Sequence, residues 1–104
     1  MEIERETLAE RLQSPAVFTL LDIRETWELT RGLLPDAIHI AMSELENRVP
    51  ELSKAVPVVV YCEHGVRSLH VAAWLIQQGY QAESLAGGFA AWHGPVSLPE
   101  TNQP

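Results

Sequence analysis

Hydrophobic positions in this chain fall into short runs separated by polar turns, and their spacing changes from run to run. Thr7 with Glu10 has the form of a capping box, and Leu8 and Leu12 fall on one helical face. This predicts a first helix over Leu8–Gln13, ended by Ser14-Pro15. Val17 to Leu21 is an apolar run between Pro15 and Asp22 and predicts a buried strand. Thr26 to Arg31 predicts a brief helix closed by Gly32, and Ala37 to Ile40 a second strand. Ser43 with Glu46 repeats the capping-box pattern and opens a helix towards Val49, which Pro50 interrupts.

Val58-Val59-Val60-Tyr61 is the clearest strand: β-branched, uncharged and suited to burial on both faces. Ser68 is placed to cap the next helix, where Leu69, Ala72, Ala73 and Ile76 form a stripe at helical spacing, with Gly79 as its stop. Ala82 to Leu85 is a further strand, and Gly87-Gly88 turns the chain into a helix through Trp92. From Gly94 on, three prolines in eleven residues predict a frayed tail over 94–104. Strands alternating with helices predict an α/β fold with a mostly parallel sheet.

The length of 104 residues suits one domain, 1–104, and 46% hydrophobic residues suffice for one modest core. The net charge of -7, without a Lys/Arg cluster, argues against nucleic acid and anionic membranes as partners. No apolar run reaches the roughly 20 residues of a membrane span, and the polar first residues do not resemble a secretory signal. A cytoplasmic monomer is the expectation. A single cysteine excludes an internal disulfide, and the four histidines show no metal-ligand spacing.

That cysteine concentrates the candidate chemistry. Cys62-Glu63-His64-Gly65-Val66-Arg67-Ser68 lies between the strongest strand and an amphipathic helix. Ligands gather at the carboxyl ends of strands in open α/β sheets, and a helix N-terminus brings free N–H groups there. A loop curled so that its N–H groups point inward favours the thiolate, the reactive form of cysteine. Gly65 suits a tight curl, and Arg67 supplies a cation with a fork for an oxyanion. Glu63 opposes negative charge and is expected to face solvent; His64 is a candidate acid or base. Taken by residue type alone, Cys62 is more often an inert buried thiol, and its strand–loop–helix setting reverses that reading.

Three stretches then resemble a known family. Leu20 to Glu25 with Trp27-Glu28, Arg31-Gly32 and Pro35 is similar to the N-terminal signature of rhodanese-like domains. Val59 to Ser68 resembles their active-site loop, and Leu85 to Trp92 their C-terminal signature. The resemblance covers about residues 3 to 95. It implies a central parallel sheet of about five strands and a sulfurtransferase without metal or organic cofactor. It also implies Cys62 as the nucleophile that carries sulfur as a persulfide, with Glu63, His64, Gly65, Val66, Arg67 and Ser68 as the substrate-binding loop. The implied partners are a small sulfur donor, thiosulfate or a persulfide, and a thiol or cyanide acceptor, which can be a partner protein. Two departures stand out. Glu63 and His64 occupy the place of a frequent basic residue, which works against a dianionic donor. Gly32-Leu33-Leu34-Pro35-Asp36-Ala37 replaces the common Gly-His-Ile-Pro-Gly-Ala.

Other conspicuous residues read more plainly. Asp22 and Arg24 are each expected to tie loops together through a structural hydrogen bond or ion pair, a base role for Asp22 being the lesser reading, and Trp27, Trp74 and Trp92 to be core or lining residues. His39 and His70 read as packing or surface residues. Gly87-Gly88 without a P-loop lysine is a turn signal rather than a phosphate site. Two competing functions are a non-catalytic interaction or sulfur-carrier module on the same fold, and a phosphatase or arsenate reductase. The latter expects arginine at the position of Ser68, where Arg67 comes one place early.

Overall fold

The computed structural model describes residues 1–98. Its sheet has five strands, all parallel, in the order β1-β5-β4-β2-β3. They are β1 (Glu2–Ile3), β2 (Thr19–Asp22), β3 (Ile38–His39), β4 (Val58–Tyr61) and β5 (Ala82–Leu85). The α-helices are α1 (Arg5–Leu12), α2 (Met42–Arg48) and α3 (Val66–Gln77). Three 3₁₀ turns, Thr26–Arg31, Val49–Glu51 and Phe89–Ala91, complete the order. The α/β class with a parallel five-stranded sheet agrees with the sequence reading.

β4 lies at the centre because all four of its residues are fully apolar or aromatic and can be buried on both faces. The alternation divides them. Val58 and Val60 join Leu21, Ile23, Leu45, Val71, Ala72 and Leu75 under α2 and α3. Val59 and Tyr61 join Leu8, Leu20, Leu85, Phe89 and Trp92 on the α1 side. Cys62 follows β4 and continues the period, so its side chain lies on the α3 face.

Several local expectations are corrected. The first strand, β1, was not predicted: two residues carry no periodicity, and it exists only by pairing with β5. α1 therefore starts at Arg5, and Thr7 lies within it rather than capping it. α2 starts at Met42 after Ala41, so Ser43 is no cap either; its hydroxyl faces Glu25 at 3.5 Å. The strand predicted from Val17 begins at Thr19, with Val17 exposed. The predicted stop at Gly79 is present: its N–H bonds Ile76 O, and that of Tyr80 bonds Leu75 O.

α3 starts at Val66 after Gly65, and Ser68 is inside its first turn. Its buried face is Ser68, Val71, Ala72 and Leu75, while Leu69 and Ile76 are exposed. Apolar residues lie on two overlapping stripes of this helix, and periodicity alone does not choose between them. Trp27 is also corrected from core to surface, being 76% exposed, whereas Trp92 is buried. In the stretch expected to fray, Ser97 exchanges two backbone bonds with Leu33; residues 99–104 lie outside the described residues.

Candidate active site

The loop from Cys62 to Gly65 is held from below by the turn after β5. Phe89 N–H donates to Cys62 O at 2.8 Å, and Ala90 N–H to Glu63 O at 2.9 Å. This approach requires Gly88. A Cβ there would meet Glu63 O at 2.5 Å and Cys62 O at 2.6 Å, and its φ of +64° favours glycine. The Gly87-Gly88 pair is therefore a seat for the loop backbone. Gly65, with φ of +93°, makes the curl that turns the chain into α3.

The curl surrounds the sulfur. Cys62 is 1% exposed, and its Sγ accepts from the N–H groups of Gly65 (3.2 Å) and Ser68 (3.3 Å). Ser68 Oγ lies 3.4 Å from Sγ and 2.7 Å from Ser84 Oγ. Burial pushes the Cys62 thiol up, but the Ser68 hydroxyl and the N–H groups of Ser68, Gly65 and His64 outweigh it and hold it below its ordinary value. The sulfur thus sits in an anion-favouring nest without a direct cation.

The charged residues form a ring around this nest. Arg24, fully buried, forks onto Asp22 through Nε and Nη2 (2.8 Å to Oδ2). Its remaining donors reach Gly32 O, Glu28 O and Glu63 Oε1. Its guanidinium also stacks over the Phe89 ring, with 4.2 Å to the centroid. Asp22 and Arg24 pair with each other, and Arg24 reaches the Cys62 loop through Glu63.

Glu63 corrects the expectation of a solvent-facing side chain. It is 13% exposed, bonded to Arg24 Nη1 at 3.2 Å and Arg31 Nη2 at 2.6 Å. A buried guanidinium with a free N–H recruits the nearest carboxylate, which explains the inward turn. Arg67 likewise gives both arms of its fork to Glu28, at 2.9 and 2.8 Å. Glu28 is oriented for this by Glu25 N–H at 2.9 Å, and the Arg67 bond holds its carboxyl below the usual range.

The loop residues thus take separate places. Cys62, Gly65 and Ser68 converge on the sulfur; Glu63 and Arg67 are in ion pairs; His64 and Val66 are exposed. His39, expected as packing or surface, has its Nε2 at 2.6 Å from Arg24 O. Ser84 went unnoticed in the sequence, and Glu28 and Arg31 were given no role of their own there. Glu28 and Arg31 fall within the matching signature, but nothing local marks Ser84. A surface concavity of about 550 Å³, lined by Phe18, Pro57, Ile76 and Tyr80, lies at the opposite ends of the strands from Cys62.

The family model of the rhodanese-like domain matches residues 4–95. The chain belongs to the rhodanese-like domain family. A sulfurtransferase of Allochromatium vinosum is 41% identical over 103 residues, 95% of this chain and 96% of that one. The thiosulfate sulfurtransferase GlpE of Coxiella burnetii is 36% identical over 86 residues, 80% of each chain. Among solved structures, a rhodanese-related protein from Thermoplasma volcanium superposes with a TM-score of 0.86 at 32% identity. It covers 94% of this chain and 98% of that one. The strand–cysteine–loop–helix unit lies within the residues that the family model matches, and no helix among the described residues is long and apolar enough to cross a membrane.

Proposed function

We propose that this chain, a rhodanese-type sulfurtransferase, works through a persulfide on Cys62. The observation that carries the reading is the convergence of the Gly65 and Ser68 N–H groups and the Ser68 hydroxyl on Sγ. The Cys62 thiolate attacks the sulfane sulfur of a donor. A new S–S bond forms, and the donor's S–S bond breaks with its electron pair leaving on sulfite or on a thiolate. In the second half, an acceptor thiolate or cyanide attacks the outer sulfur, and Cys62 departs as the thiolate. The same three donors serve the anion before attack and after transfer.

The ring of ion pairs supports a choice of donor. Arg24, Arg31 and Arg67 are each engaged by Asp22, Glu63 or Glu28. A thiosulfate dianion meets no uncommitted guanidinium beside Cys62, so a persulfide of lower charge is the favoured donor. The acceptor is a thiol, on a small molecule or a partner protein.

Intact-mass spectrometry of wild type and Cys62→Ser, after incubation with thiosulfate and separately with an alkyl persulfide, tests both parts. A gain of one sulfur on wild type alone, removed by cyanide as thiocyanate, supports the relay. A gain from both donors at similar rates refutes the donor preference. No gain from either, on folded protein with a reduced thiol, refutes the relay itself.

A further inference from the structure

Ser84 is fully buried in β5, away from the loop in sequence, and the relay described above gives it no task. Alternation along β5 sends Ala82 and Ser84 to the α3 face, where most inward positions are apolar. A hydroxyl buried there costs free energy unless it is bonded, and Ser84 Oγ has one side-chain partner among the described residues, Ser68 Oγ at 2.7 Å. Ser68 Oγ in turn has two, Ser84 Oγ and Cys62 Sγ at 3.4 Å.

We propose that Ser84 is a positioning residue: its hydroxyl donates to Ser68 Oγ and so commits the Ser68 hydrogen to the Cys62 sulfur, favouring the thiolate. Hydrogen counting carries this. The row Ser84–Ser68–Cys62 has two contacts. With a thiolate at its end there are two hydrogens, and each fills one contact in the same direction. With a thiol there are three hydrogens for two contacts, so one hydrogen is left without a partner in this row. Hydroxyls in such a row also polarise one another, so the Ser84 bond strengthens the one Ser68 gives to sulfur. Without Ser84, the Ser68 hydroxyl loses its second bond and is free to rotate away from Sγ.

The inference takes Cys62 as the reacting thiol but needs no sulfur donor, so it is tested by alkylation. The rate of Cys62 modification by iodoacetamide, followed against pH by mass spectrometry of the Cys62 peptide, reads the thiolate directly. The charged and titratable groups around the site make no side-chain hydrogen bond to Ser84 among the described residues. They are Asp22–Arg24, Glu63–Arg31, Glu28–Arg67 and Glu83–Arg11, with His64 and His70 exposed.

In Ser84→Ala the profile moves to higher pH, and the rate at neutral pH falls about three- to tenfold. Ser84→Cys, of similar volume but a weak donor, does the same and serves if the alanine variant does not fold. Ser84→Thr, which keeps the hydroxyl, stays within about twofold of wild type. Profiles of the alanine and cysteine variants that superpose on wild type, with the fold verified by circular dichroism, overturn the proposal. So does a threonine variant that folds normally yet shifts as far as alanine. The sulfur-relay reading stands or falls separately, on persulfide formation by wild type.

Discussion

Gly88→Ala places a methyl group where two backbone carbonyls already lie. Its Cβ would sit 2.5 Å from Glu63 O and 2.6 Å from Cys62 O, and relief to an ordinary C···O approach of about 3.3 Å needs a shift of roughly 0.8 Å. Residue 88 has φ 64° and ψ -163°, a combination essentially reserved for glycine, which adds about 1–3 kcal/mol of strain. The shift also stretches the bonds from Phe89 and Ala90 N–H to the same carbonyls, about 1 kcal/mol each. The expected loss is about 3–5 kcal/mol, a large part of the roughly 5–15 kcal/mol available to a domain of this size. Gly79→Ala is the matched control. Its φ of +98° also disfavours a side chain, but its Cβ meets only the end of the Lys54 side chain at 3.4 Å. Denaturant unfolding followed by tryptophan fluorescence gives the stabilities, and iodoacetamide gives Cys62 reactivity. Gly88→Ala should lose at least about 2 kcal/mol more than Gly79→Ala and react more slowly at neutral pH, because the displaced loop draws the Gly65 and Ser68 N–H groups off the sulfur. Equal stabilities for the two variants, with Cys62 reactivity unchanged, refute the view that the glycine pair seats the loop.

Other perturbations probe the charges and the thiol. Arg24→Lys keeps the charge but cannot serve Asp22, Gly32 O, Glu28 O and Glu63 together, so unfolding experiments should show a loss of about 3 kcal/mol, and a loss under 1 kcal/mol contradicts the assigned role. Glu63→Gln removes one negative charge from the ring and should raise kcat/KM for thiosulfate about tenfold relative to an alkyl persulfide; an unchanged ratio speaks against charge as the basis of donor choice. The Cys62 thiol is held below its ordinary value in the folded chain, and in the unfolded chain it titrates near about 8.5. The stability this adds is fully present above about pH 8.5 and is lost as pH falls through the lowered folded value. Unfolding free energy measured against pH should therefore rise across that interval in wild type and not in Cys62→Ser, and parallel curves exclude a stabilised thiolate.

The chemistry-bearing unit was legible because its signals are local. Four β-branched or aromatic residues in a row, a cysteine, a glycine and a helical stripe lie within twenty residues. Each follows from propensity and period over a few positions. A structural bond at Asp22 and at Arg24 was similarly accessible from residue type, whereas their pairing with each other came from the structure. The helix starts at Thr7 and Ser43 failed because each capping pattern competes with strand pairing and loop contacts that set where the helix begins.

What the sequence by itself determined is the α/β alternation, the place of Cys62 at the end of the central strand, and membership of a family through three ordered signatures. What only the tertiary structure decided is where the side chains of that unit point. Glu63 turned inward because Arg24, 39 residues earlier, had a buried N–H to fill; Arg67 was captured by Glu28 at the same separation. The exposed face of α3 and the contact of Ser68 with Ser84 depend on how that helix settles on β4 and β5. Periodicity reports that a face is apolar, and nearby residue types report what chemistry is possible. Which hydroxyl or carboxylate meets which partner is settled by packing between distant segments, where a rotation of one residue along a helix exchanges one set of neighbours for another.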